Sequence, residues 1–574
     1  MNVRALLEQR LSAALADAGI TDAPAMVRFA SKPEFGDYQA NGVMGAAKRN
    51  KQNPRELAQL CVAKADVEGL AELSLAGPGF INIALSAQWL RDQLNENRQP
   101  LRPVDQPETV VVDFSSPNLA KEMHVGHIRS TIIGDAISRT LEALGHRVIR
   151  QNHVGDWGTQ FGMLITYLAE LPAEGDDAQS EQLADIEAFY RAAKARFDDD
   201  DAFADRARQA VVDLQGGDPD IRAQWQRFIN MSLDHCQATY DRLGTTLTRA
   251  DVMPESAYND DLPQIVAELD AKGLLEESDG AKCVFMDEFK GKDGTPLPVI
   301  VQKSDGGYLY ATTDLAALKY RCHTLKADRI IVFTDARQVF HFRQFLAVGK
   351  LAGFSTDTNR IEHMPFGAML GTDGKPFKTR AGGVIRLNDL LDEAVSRAAT
   401  QVAAMGSLDD PEAQANAAAI IGIGAVKYAD LSKNRTSDYV FDWDAMLALD
   451  GNTAPYMQYA YARVQSVFRR AEITQAEADA LQVGELADVN EQRLAVALLR
   501  LQEVAEQMVA EGMPHYLCTY LYELANLFMR FYEHCPILKA APEVRASRLA
   551  LCAHMATVVK QGLALLGIET LEQM

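Results

Sequence analysis

One stretch of the sequence, residues 110–145, constrains the fold more than any other. It starts with an apolar, β-branched run at 110–114, passes through a polar turn, and then repeats aliphatic residues at helical spacing from Ile128 to Leu141. The run is typical of a buried strand, and the repeat is typical of a helix that packs against it. Residues 147–154 read as the next strand. The stretch therefore predicts a βαβ unit, and with it an α/β fold built on a parallel sheet.

Two histidines, His124 and His127, stand at the start of this predicted helix with Gly126 between them. A helix start that follows a buried strand presents unpaired N–H groups and the positive end of the helix dipole, which suits a phosphate. Residues three apart share a helix face, so both imidazoles can stabilise charge that develops during displacement at one phosphorus. Gly126 leaves room for a nucleotide against the backbone. On these residues alone, two histidines that merely cap a helix are an equally good interpretation.

Length and cysteine content bound the class of protein. The chain has 574 residues, more than one hydrophobic core supports, so several domains are expected. Its seven cysteines include no Cys-x-x-Cys pair, which argues against a disulfide framework or a structural zinc site. Residues 1–10 have the pattern of an amphipathic helix rather than of a signal peptide, and no apolar stretch is long enough to span a bilayer. We therefore expect a cytoplasmic protein that holds no metal of its own.

The net charge of −22 argues against a nucleic-acid partner, because phosphate binding usually requires a basic surface. Net charge does not determine local charge, however, and basic clusters are present along the chain. Composition alone points away from RNA.

Changes in pattern along the chain predict the domain organisation. We expect a small α/β domain at 1–105, a catalytic domain at 106–385 interrupted by an acidic helical insertion at about 171–261, a helical connecting region at 386–450, and an all-helical domain at 451–574.

Several motifs together resemble one known family. Residues 117–127 resemble the HIGH signature of class I aminoacyl-tRNA synthetases, and residues 115–121 resemble its form in arginyl-tRNA synthetases. The segment 151–162, with the sequence Gln-Asn-His-Val-Gly-Asp-Trp-Gly-Thr-Gln-Phe-Gly, is also similar to the arginyl enzymes, and the similarity continues over most of the chain. The resemblance implies a Rossmann-type catalytic domain, an N-terminal domain that contacts the tRNA elbow, and a C-terminal helical domain that binds the anticodon.

The resemblance also implies an activity. Enzymes of this family ligate L-arginine to tRNA(Arg): the arginine carboxylate attacks the α-phosphate of ATP, and the resulting arginyl-adenylate transfers its arginine to the 2′-hydroxyl of the terminal adenosine. The implied ligands are ATP with its Mg²⁺, arginine and tRNA(Arg), and the implied state is a monomer that does not bind a membrane. Family members often require bound tRNA for activation.

A second phosphate-binding element is predicted at 365–383, where glycines flank Lys375, Lys378 and Arg380. A mobile basic loop of this kind suits the β- and γ-phosphates. It resembles the KMSKS loop of class I synthetases but lacks the usual order of lysines. We expect Lys378 and Arg380, supported by Lys375, to act with His124 and His127 in catalysis. Without the histidines upstream, a surface hairpin with solvated charges would be the better interpretation.

The substrate residues follow from the resemblance. A guanidinium needs planar, acidic and hydrogen-bonding partners, but spacing alone would not identify arginine, and Asp314 by itself is most simply a helix-start residue. The residues expected to bind arginine are Asp113, Ser115, Asn118, His124, Tyr310, Asp314 and Gln338. Those expected to bind ATP are Pro117, His124, Gly126, His127, Gly367 and Met369.

Two segments are candidates for binding tRNA. Near the N-terminus, aromatic and amide residues around Gly36 could stack on an unpaired base, although the residues alone favour a turn that packs in the core. The aromatic-rich start of the C-terminal domain could likewise stack on bases or form core, and its periodicity favours core for most residues. The residues expected to contact tRNA are Phe35, Tyr38, Gln39, Asn41, Tyr456, Gln458, Tyr459 and Arg463.

Two alternatives to this function remain open at this stage. One is another adenylyl-transferring enzyme with a His-x-Gly-His motif, which would not need the long helical C-terminal domain. The other is a non-catalytic, tRNA-binding paralogue, against which the intact histidines and cationic loop argue.

Overall fold

The computed structural model describes residues 1–171, 186–377 and 385–574. The chain divides into two compact units. One unit comprises Met1–Pro103, Ser396–Ser432 and Asp444–Met574, and the other comprises Val104–Val395 and Lys433–Trp443. The region 386–450, expected from the sequence as one connecting region, is thus divided between the two units.

The first unit begins with a four-stranded antiparallel sheet of order β1-β2-β4-β3. Its strands are β1 (Val27–Phe29), β2 (Tyr38–Ala40), β3 (Ala71–Ala76) and β4 (Phe80–Leu85). The helices of this part are Val3–Asp17, Gly42–Arg49, Pro54–Lys64 and Ala87–Glu96. Asn53 caps the third of these helices through its side chain, which accepts the N–H group of Arg55 at 2.9 Å.

The rest of the first unit is helical, as the periodicity of the C-terminal region predicts. Its helices pack through buried aliphatic and aromatic faces around Leu521 and Phe528. They are Pro411–Leu431, Ala454–Ala471, Gln475–Asp479, Val489–Leu498, Leu501–Glu511, His515–His534 and Pro542–Leu565. The helices Leu387–Met405 and Trp443–Leu447 cross the boundary between the units.

The second unit contains the parallel sheet that the sequence predicts. Four strands pair in the order β11-β10-β5-β6, and all of these pairings are parallel. A second sheet, of order β7-β8-β9, is antiparallel, and a short parallel pair joins β12 to β13. The strands are β5 (Thr109–Asp113), β6 (Arg147–Gln151), β7 (Glu276–Ser278), β8 (Ala281–Val284), β9 (Val299–Gln302), β10 (Arg329–Val332), β11 (Arg360–His363), β12 (Met369–Leu370) and β13 (Tyr439–Val440).

The helix Val125–Ala143 follows β5 and completes the βαβ unit with β6. The described residues of the region 171–261 form mainly helices. The other helices of this unit are Thr159–Glu170, Ile186–Asp199, Asp201–Gly216, Pro219–Leu243, Leu262–Ala271, Tyr310–Lys319 with a π turn at Tyr320–Thr324, and Val339–Leu351. Short 3₁₀ turns of this unit occur at Arg249–Asp251, Glu255–Tyr258 and Ala336–Gln338, and a further one, Pro33–Phe35, belongs to the first unit. Across the described ranges, every helix is too short or too polar to cross a membrane.

We predict that Gly134→Ala destabilises the second unit. An added Cβ would lie 2.2 Å from Cγ of Phe114, a fully buried ring at the end of β5. Overpacking of this kind costs about 1–3 kcal/mol, which outweighs the helix propensity gained by replacing glycine with alanine. The measurement is the free energy of unfolding from urea denaturation.

Gly216→Ala is the matched control, since Gly216 also lies in a helix of this unit and nothing stands within 4 Å of its added Cβ. It should leave stability unchanged or raise it by up to about 1 kcal/mol. Equal effects of the two substitutions would contradict the packing argument.

Candidate active site

The carboxyl ends of the parallel strands open into a cavity of about 740 Å³. Its walls come from the turn after β5, the first turn of Val125–Ala143, the segment after β10, and the helices Tyr310–Lys319 and Val339–Leu351. Ligands of open α/β sheets bind at this edge. The predicted site residues that line the cavity are Asp113, Ser115, Asn118, His124, Gly126, His127, Tyr310, Asp314 and Gln338.

The two histidines at the helix start are held by the backbone around them. The N–H group of Gly126 donates to Nδ1 of His124 at 3.0 Å, and the N–H group of His124 donates to Nδ1 of His127 at 3.1 Å. Each Nδ1 is therefore an acceptor and carries no proton, so a neutral ring carries its proton on Nε2. The ring centroids are 4.0 Å apart. The helix-capping interpretation and the phosphate-binding interpretation are thus compatible, because capping uses only one nitrogen of each ring.

Both rings are neutral near pH 7. Burial, with help from the charge of His124, lowers the pKa of His127 to about 3. Burial and the neighbouring charge of Lys121 also lower the pKa of His124. The pair therefore offers two neutral N–H donors rather than two cations.

Gly126 makes room for the ring of His124 as the structure places it. An added Cβ on Gly126 would lie 2.7 Å from Cε1 and 2.9 Å from Nδ1 of the His124 ring. The sequence suggests that this glycine makes room for a nucleotide. The structure adds that it makes room for the imidazole itself.

The turn after β5 has an unusual backbone. Ser115 and Ser116 adopt φ angles of +72° and +48°, which turn the chain sharply at the strand end. The hydroxyl of Ser115 lies 2.7 Å from the Tyr240 hydroxyl and accepts a hydrogen bond from Thr131 at 2.9 Å. These internal partners hold the turn, so the geometry favours a structural role for the Ser115 hydroxyl over the predicted contact with arginine.

Asp113 also has internal partners. Its Oδ2 accepts a hydrogen bond from Nη2 of Arg321 at 2.6 Å, and its Oδ1 accepts one from the Ser116 hydroxyl at 3.0 Å. Arg321 in turn donates through Nε to the side chain of Gln151 at 2.6 Å, and both members of the ion pair are buried. Asp113 lines the cavity and remains a candidate for binding arginine, although its carboxylate already accepts hydrogen bonds from a guanidinium of the protein and from Ser116.

Asn118 approaches the neighbouring loop closely. A Cβ added at Gly155 would lie 2.1 Å from Oδ1 of Asn118, and the N–H group of Gly155 donates to the Pro117 carbonyl at 3.1 Å. The glycine in the 151–162 motif thus allows the amide of Asn118 to stand at the cavity wall. Pro117, expected to bind ATP, is not among the residues that line the cavity.

An acidic centre stands elsewhere in the cavity wall. Asp314 accepts a hydrogen bond from His341 at 2.6 Å through Oδ2, and its Oδ1 lies 4.0 Å from Nε2 of His153. Tyr310 is 63% exposed, and its ring centroid lies 4.8 Å from that of His341. Both predicted residues therefore face the cavity together.

The sequence interpretation missed Glu255. This residue lines the cavity, and burial, followed by the charges of Asp156 and Asp314, raises its pKa to about 7. It reaches the site because its N–H group donates to the Val154 carbonyl at 3.1 Å, which places 252–255 alongside the segment after β6. Nothing local marks it, since it follows a proline in a short irregular segment.

The predicted phosphate loop is described only in part. Lys378 and Arg380 lie outside the described residues. Gly367, Met369 and Lys375 are described and are not among the residues lining the cavity. Met369 is buried in β12, which pairs with β13, and an added Cβ on Gly367 would lie 2.6 Å from the carbonyl of Ser437.

The structure separates the residues expected to bind tRNA near the N-terminus. Tyr38 is fully buried, and its hydroxyl donates to Glu503 at 2.9 Å, so the expectation that its ring stacks on a base is corrected. Phe35 is half-buried. Gln39 donates to the side chain of Asn82 at 2.8 Å. Asn41 is half-buried and stands at the start of the helix Gly42–Arg49.

A similar division holds in the C-terminal helices. Tyr456, Tyr459 and Arg463 are half-buried along one helix, and the Arg463 guanidinium lies 4.9 Å from the Tyr459 ring centroid. Gln458 is fully buried and donates to the Glu569 carbonyl at 2.9 Å. Its expected contact with tRNA is corrected, because its side chain fastens the C-terminal segment instead.

Three family models together match most of the chain. A family model described as tRNA synthetases class I (R), catalytic domain, matches residues 90–443. The DALR anticodon binding domain matches residues 457–574, and the arginyl tRNA synthetase N terminal domain matches residues 3–85.

Individual proteins give the same result. The chain is 58% identical to an arginine–tRNA ligase of Hahella chejuensis and 56% identical to one of Marinomonas sp., in each case over 100% of both chains. Among solved structures, the arginyl-tRNA synthetase of Plasmodium falciparum is 27% identical with a TM-score of 0.84, covering 100% of this chain and 99% of that one. The Thermus thermophilus arginyl-tRNA synthetase, at 24% identity and a TM-score of 0.84 over 100% of both chains, shares the fold. The chain therefore belongs to the arginyl-tRNA synthetase family of class I aminoacyl-tRNA synthetases.

Proposed function

We propose that the protein ligates L-arginine to tRNA(Arg) in an ATP-dependent reaction that passes through an arginyl-adenylate. The observation that carries the proposal is a single cavity that contains both a pair of neutral N–H donors at a helix N-terminus and the carboxyl groups of Asp314 and Glu255. The first feature suits a phosphate and the second suits a cation. Family membership supports the same reaction, and it does not support the two alternatives left open by the sequence.

In the activation step, a carboxylate oxygen of arginine forms a bond to the α-phosphorus of ATP. The bond from that phosphorus to its bridging oxygen breaks, and pyrophosphate leaves. The Nε2–H groups of His124 and His127 donate to the oxygens on which negative charge accumulates, and they need no reorganisation because the backbone already fixes both rings. We assign the leaving pyrophosphate to the cations Lys375, Lys378 and Arg380. The 2′-hydroxyl of the terminal adenosine then attacks the arginyl carbonyl, and AMP leaves.

The positively charged groups of arginine are assigned to Asp314 and Glu255. Asp314 is presented by a helix and oriented by His341, whereas Glu255 is half-buried, and desolvation together with its like-charged neighbours disfavours its ionisation. A substrate cation reverses that penalty, because it favours the ionised carboxylate. The amides of Asn118 and Gln338 supply further hydrogen-bonding partners, and Tyr310 forms a wall of the site.

Mg²⁺ enters this scheme with the nucleotide. Within the described ranges there is no group of three or more His, Cys, Asp or Glu side chains arranged to hold a metal ion. The family resemblance implies Mg²⁺ as a companion of the nucleotide, and we propose that the phosphates of ATP would supply its main ligands and that it would lessen the charge repulsion met by the incoming carboxylate.

For the tRNA, we propose that Tyr456, Tyr459 and Arg463 contact the anticodon. These side chains lie on one face of Ala454–Ala471, and an arginine stacked on a tyrosine suits unpaired bases. Phe35, Gln39 and Asn41 are kept as candidates for contacts with the tRNA elbow. We further propose that the protein acts as a cytoplasmic monomer, as the family resemblance implies.

The direct test is to charge total tRNA with each amino acid in turn, in the presence of ATP and Mg²⁺. We expect stable charging with arginine and with no other amino acid. A companion assay of ATP–pyrophosphate exchange, with and without tRNA, determines whether activation requires the tRNA. A folded protein that charges no amino acid would contradict the proposal and would favour a non-catalytic tRNA-binding protein.

We predict that His127→Ala lowers the rate of adenylate formation by roughly 100- to 1,000-fold, the usual effect of removing one preorganised donor from a transition state. The dissociation constant for arginine should change little, because the donor acts on phosphate oxygens. The measurements are single-turnover adenylate formation and equilibrium binding of arginine.

His146→Ala is a suitable control for this prediction. Nδ1 of His146 also accepts a backbone N–H group, from Glu108 at 3.1 Å, but His146 does not line the cavity. Activity should survive this substitution. Equal losses in the two variants would assign the effect to the lost backbone hydrogen bond rather than to the Nε2 donor.

We predict that the KM for arginine rises as the pH falls from 8 to 6. The pKa of Glu255 is about 7, so its carboxylate is ionised at the upper pH and protonated at the lower one. If the ionised form binds the substrate cation, titration of this single group raises KM by roughly tenfold over the range. Because the histidines are already neutral, the rate of the chemical step should not fall as the pH rises from 6.5 to 8.

Glu255→Gln should raise KM at every pH and remove this pH dependence. Asp335→Asn serves as the control, since Asp335 also lines the cavity but its carboxylate is bonded to the guanidinium of Arg337 at 2.8 and 3.0 Å. That variant should keep the wild-type pH profile. The same profile in Glu255→Gln would show that another group titrates.

A further inference from the structure

The buried guanidinium of Arg129 joins the histidine helix to a distant part of the chain. Arg129 lies two residues after His127 and is 2% exposed. Its Nη1 donates to the carbonyl of Gly367 at 2.7 Å and to the carbonyl of Ser437 at 3.0 Å. The guanidinium also lies 5.2 Å from the ring centroid of Tyr439. The Arg129 side chain thus fastens two segments, far apart in sequence, to the helix that begins after His124 and carries His127 in its first turn.

Those two segments form the base of the glycine-rich loop. We define the loop base as residues 365–370 together with 435–440, which include β12 and β13. Within it, the N–H group of Gly367 donates to the Arg435 carbonyl at 3.0 Å, and that of Ala368 donates to the carboxylate of Asp438 at 2.6 Å. Gly367 approaches Ser437 so closely that an added Cβ would lie 2.6 Å from its carbonyl. The loop base is therefore one tightly packed element, and Arg129 sets its distance from the helix.

The other end of the loop is tied to the same helix. The N–H group of Val125 donates to the Ile385 carbonyl at 3.1 Å, and that of Leu387 donates to the Met123 carbonyl at 2.9 Å. Both ends of the chain segment that contains Lys375 are thus anchored at the start of the histidine helix. The described residues on both sides of 378–384 are therefore bonded to the helix that carries the two imidazoles.

Packing alone does not account for an arginine at this position. Arg435 lies close enough that burial and the charge of Arg129 lower its pKa to about 10, so two like charges are held together in the interior. Burial of a charged side chain is costly in itself, and an apolar side chain of similar volume would pack at this position without that cost. A guanidinium provides several directed N–H donors, whereas an apolar side chain provides none.

We propose that Arg129 is a positioning residue for the activation step, which holds the loop base so that Lys375, which follows that base, meets the leaving pyrophosphate while the histidines meet the α-phosphate. The inference rests on the proposed function and concerns the same site. Arg129 itself does not line the cavity, so it acts through the loop.

The test is Arg129→Lys, which keeps the charge but replaces the planar fork by a single ammonium group. We expect kcat for arginine-dependent ATP–pyrophosphate exchange, measured with tRNA present, to fall by roughly 10- to 100-fold, since a small misplacement of reacting groups has an effect of this size. The KM for arginine should not change. Transfer of arginine from isolated arginyl-adenylate to tRNA should also keep its wild-type rate, because pyrophosphate has already left.

Arg139→Lys is the matched control. Arg139 lies on the same helix and donates to the Gly244 carbonyl at 2.5 Å and to Asp135 at 2.7 Å, so it too joins the helix to another segment. We expect both reactions to survive this substitution. A parallel loss of exchange and transfer in Arg129→Lys, or equal losses of exchange in the two variants, would overturn the proposal, since a merely structural role predicts those results.

Gly367→Ala provides a second test that leaves Arg129 intact and remains decisive if Arg129→Lys does not fold. Its added Cβ should displace the loop base from Ser437, so exchange should fall while transfer does not. Unchanged exchange in this variant would overturn the proposal. The wild-type enzyme distinguishes failure of the proposed function from failure of the role of Arg129. If the wild type shows no exchange with arginine, the proposed function is refuted. If the wild type is active and the variants exchange at its rate, only the role of Arg129 is refuted.

Discussion

The site depends on a helix whose buried faces carry polar side chains that bind other segments of the chain. In Val125–Ala143, the hydroxyl of Ser130 donates to the Phe333 carbonyl at 2.9 Å, and Asp135 accepts the N–H group of Thr246 at 2.7 Å. Arg129 binds the loop base in the same way. Buried polar groups are costly unless they are paired, so these bonds fix the rotation and the depth of the helix far more narrowly than apolar packing would. The first turn therefore reaches the cavity with its two imidazoles in one defined orientation.

Neutral histidines are well suited to that position. An imidazolium at a helix start would add positive charge beside the positive end of the helix dipole, and burial penalises it further. Because both Nδ1 atoms accept backbone N–H groups, the rings complete the helix cap and keep Nε2–H unused by that cap, while both residues line the cavity. Of the loop cations, Lys375 is exposed, so its charge is solvated at little cost until a nucleotide arrives.

The sequence predicts those parts of the site that depend on local pattern. The β-branched run of β5, the helix start at His124 and the position of Asp314 in a helix that lines the cavity all follow from spacing within one element. The role of a residue that depends on a partner far away in the sequence cannot be predicted from local spacing. The ion pair of Asp113 with Arg321 cannot be read from the sequence, and neither can the bonds that tie the buried Tyr38 and Gln458 to Glu503 and to the Glu569 carbonyl. Glu255 is missed because it directly follows Pro254, in a short segment (252–255) that shows neither helical nor strand periodicity.

The acids of the cavity show how substrate affinity and stability oppose one another. Burial and like-charged neighbours hold the pKa of Glu255 at about 7, above the 4.5 of an unperturbed glutamate, so the folded protein binds this proton more tightly than the unfolded chain does. The contribution of this group to stability is therefore fully present below the unfolded value and is lost as the pH rises through the folded value. Around and above pH 7 the empty site thus carries an ionised carboxylate that weakens the fold. A substrate cation relieves the repulsion from Asp156 and Asp314, and the relief appears as binding free energy. A neutral amino acid of the same shape does not relieve this repulsion. The repulsion in the empty cavity therefore favours binding of a cationic substrate over a neutral one.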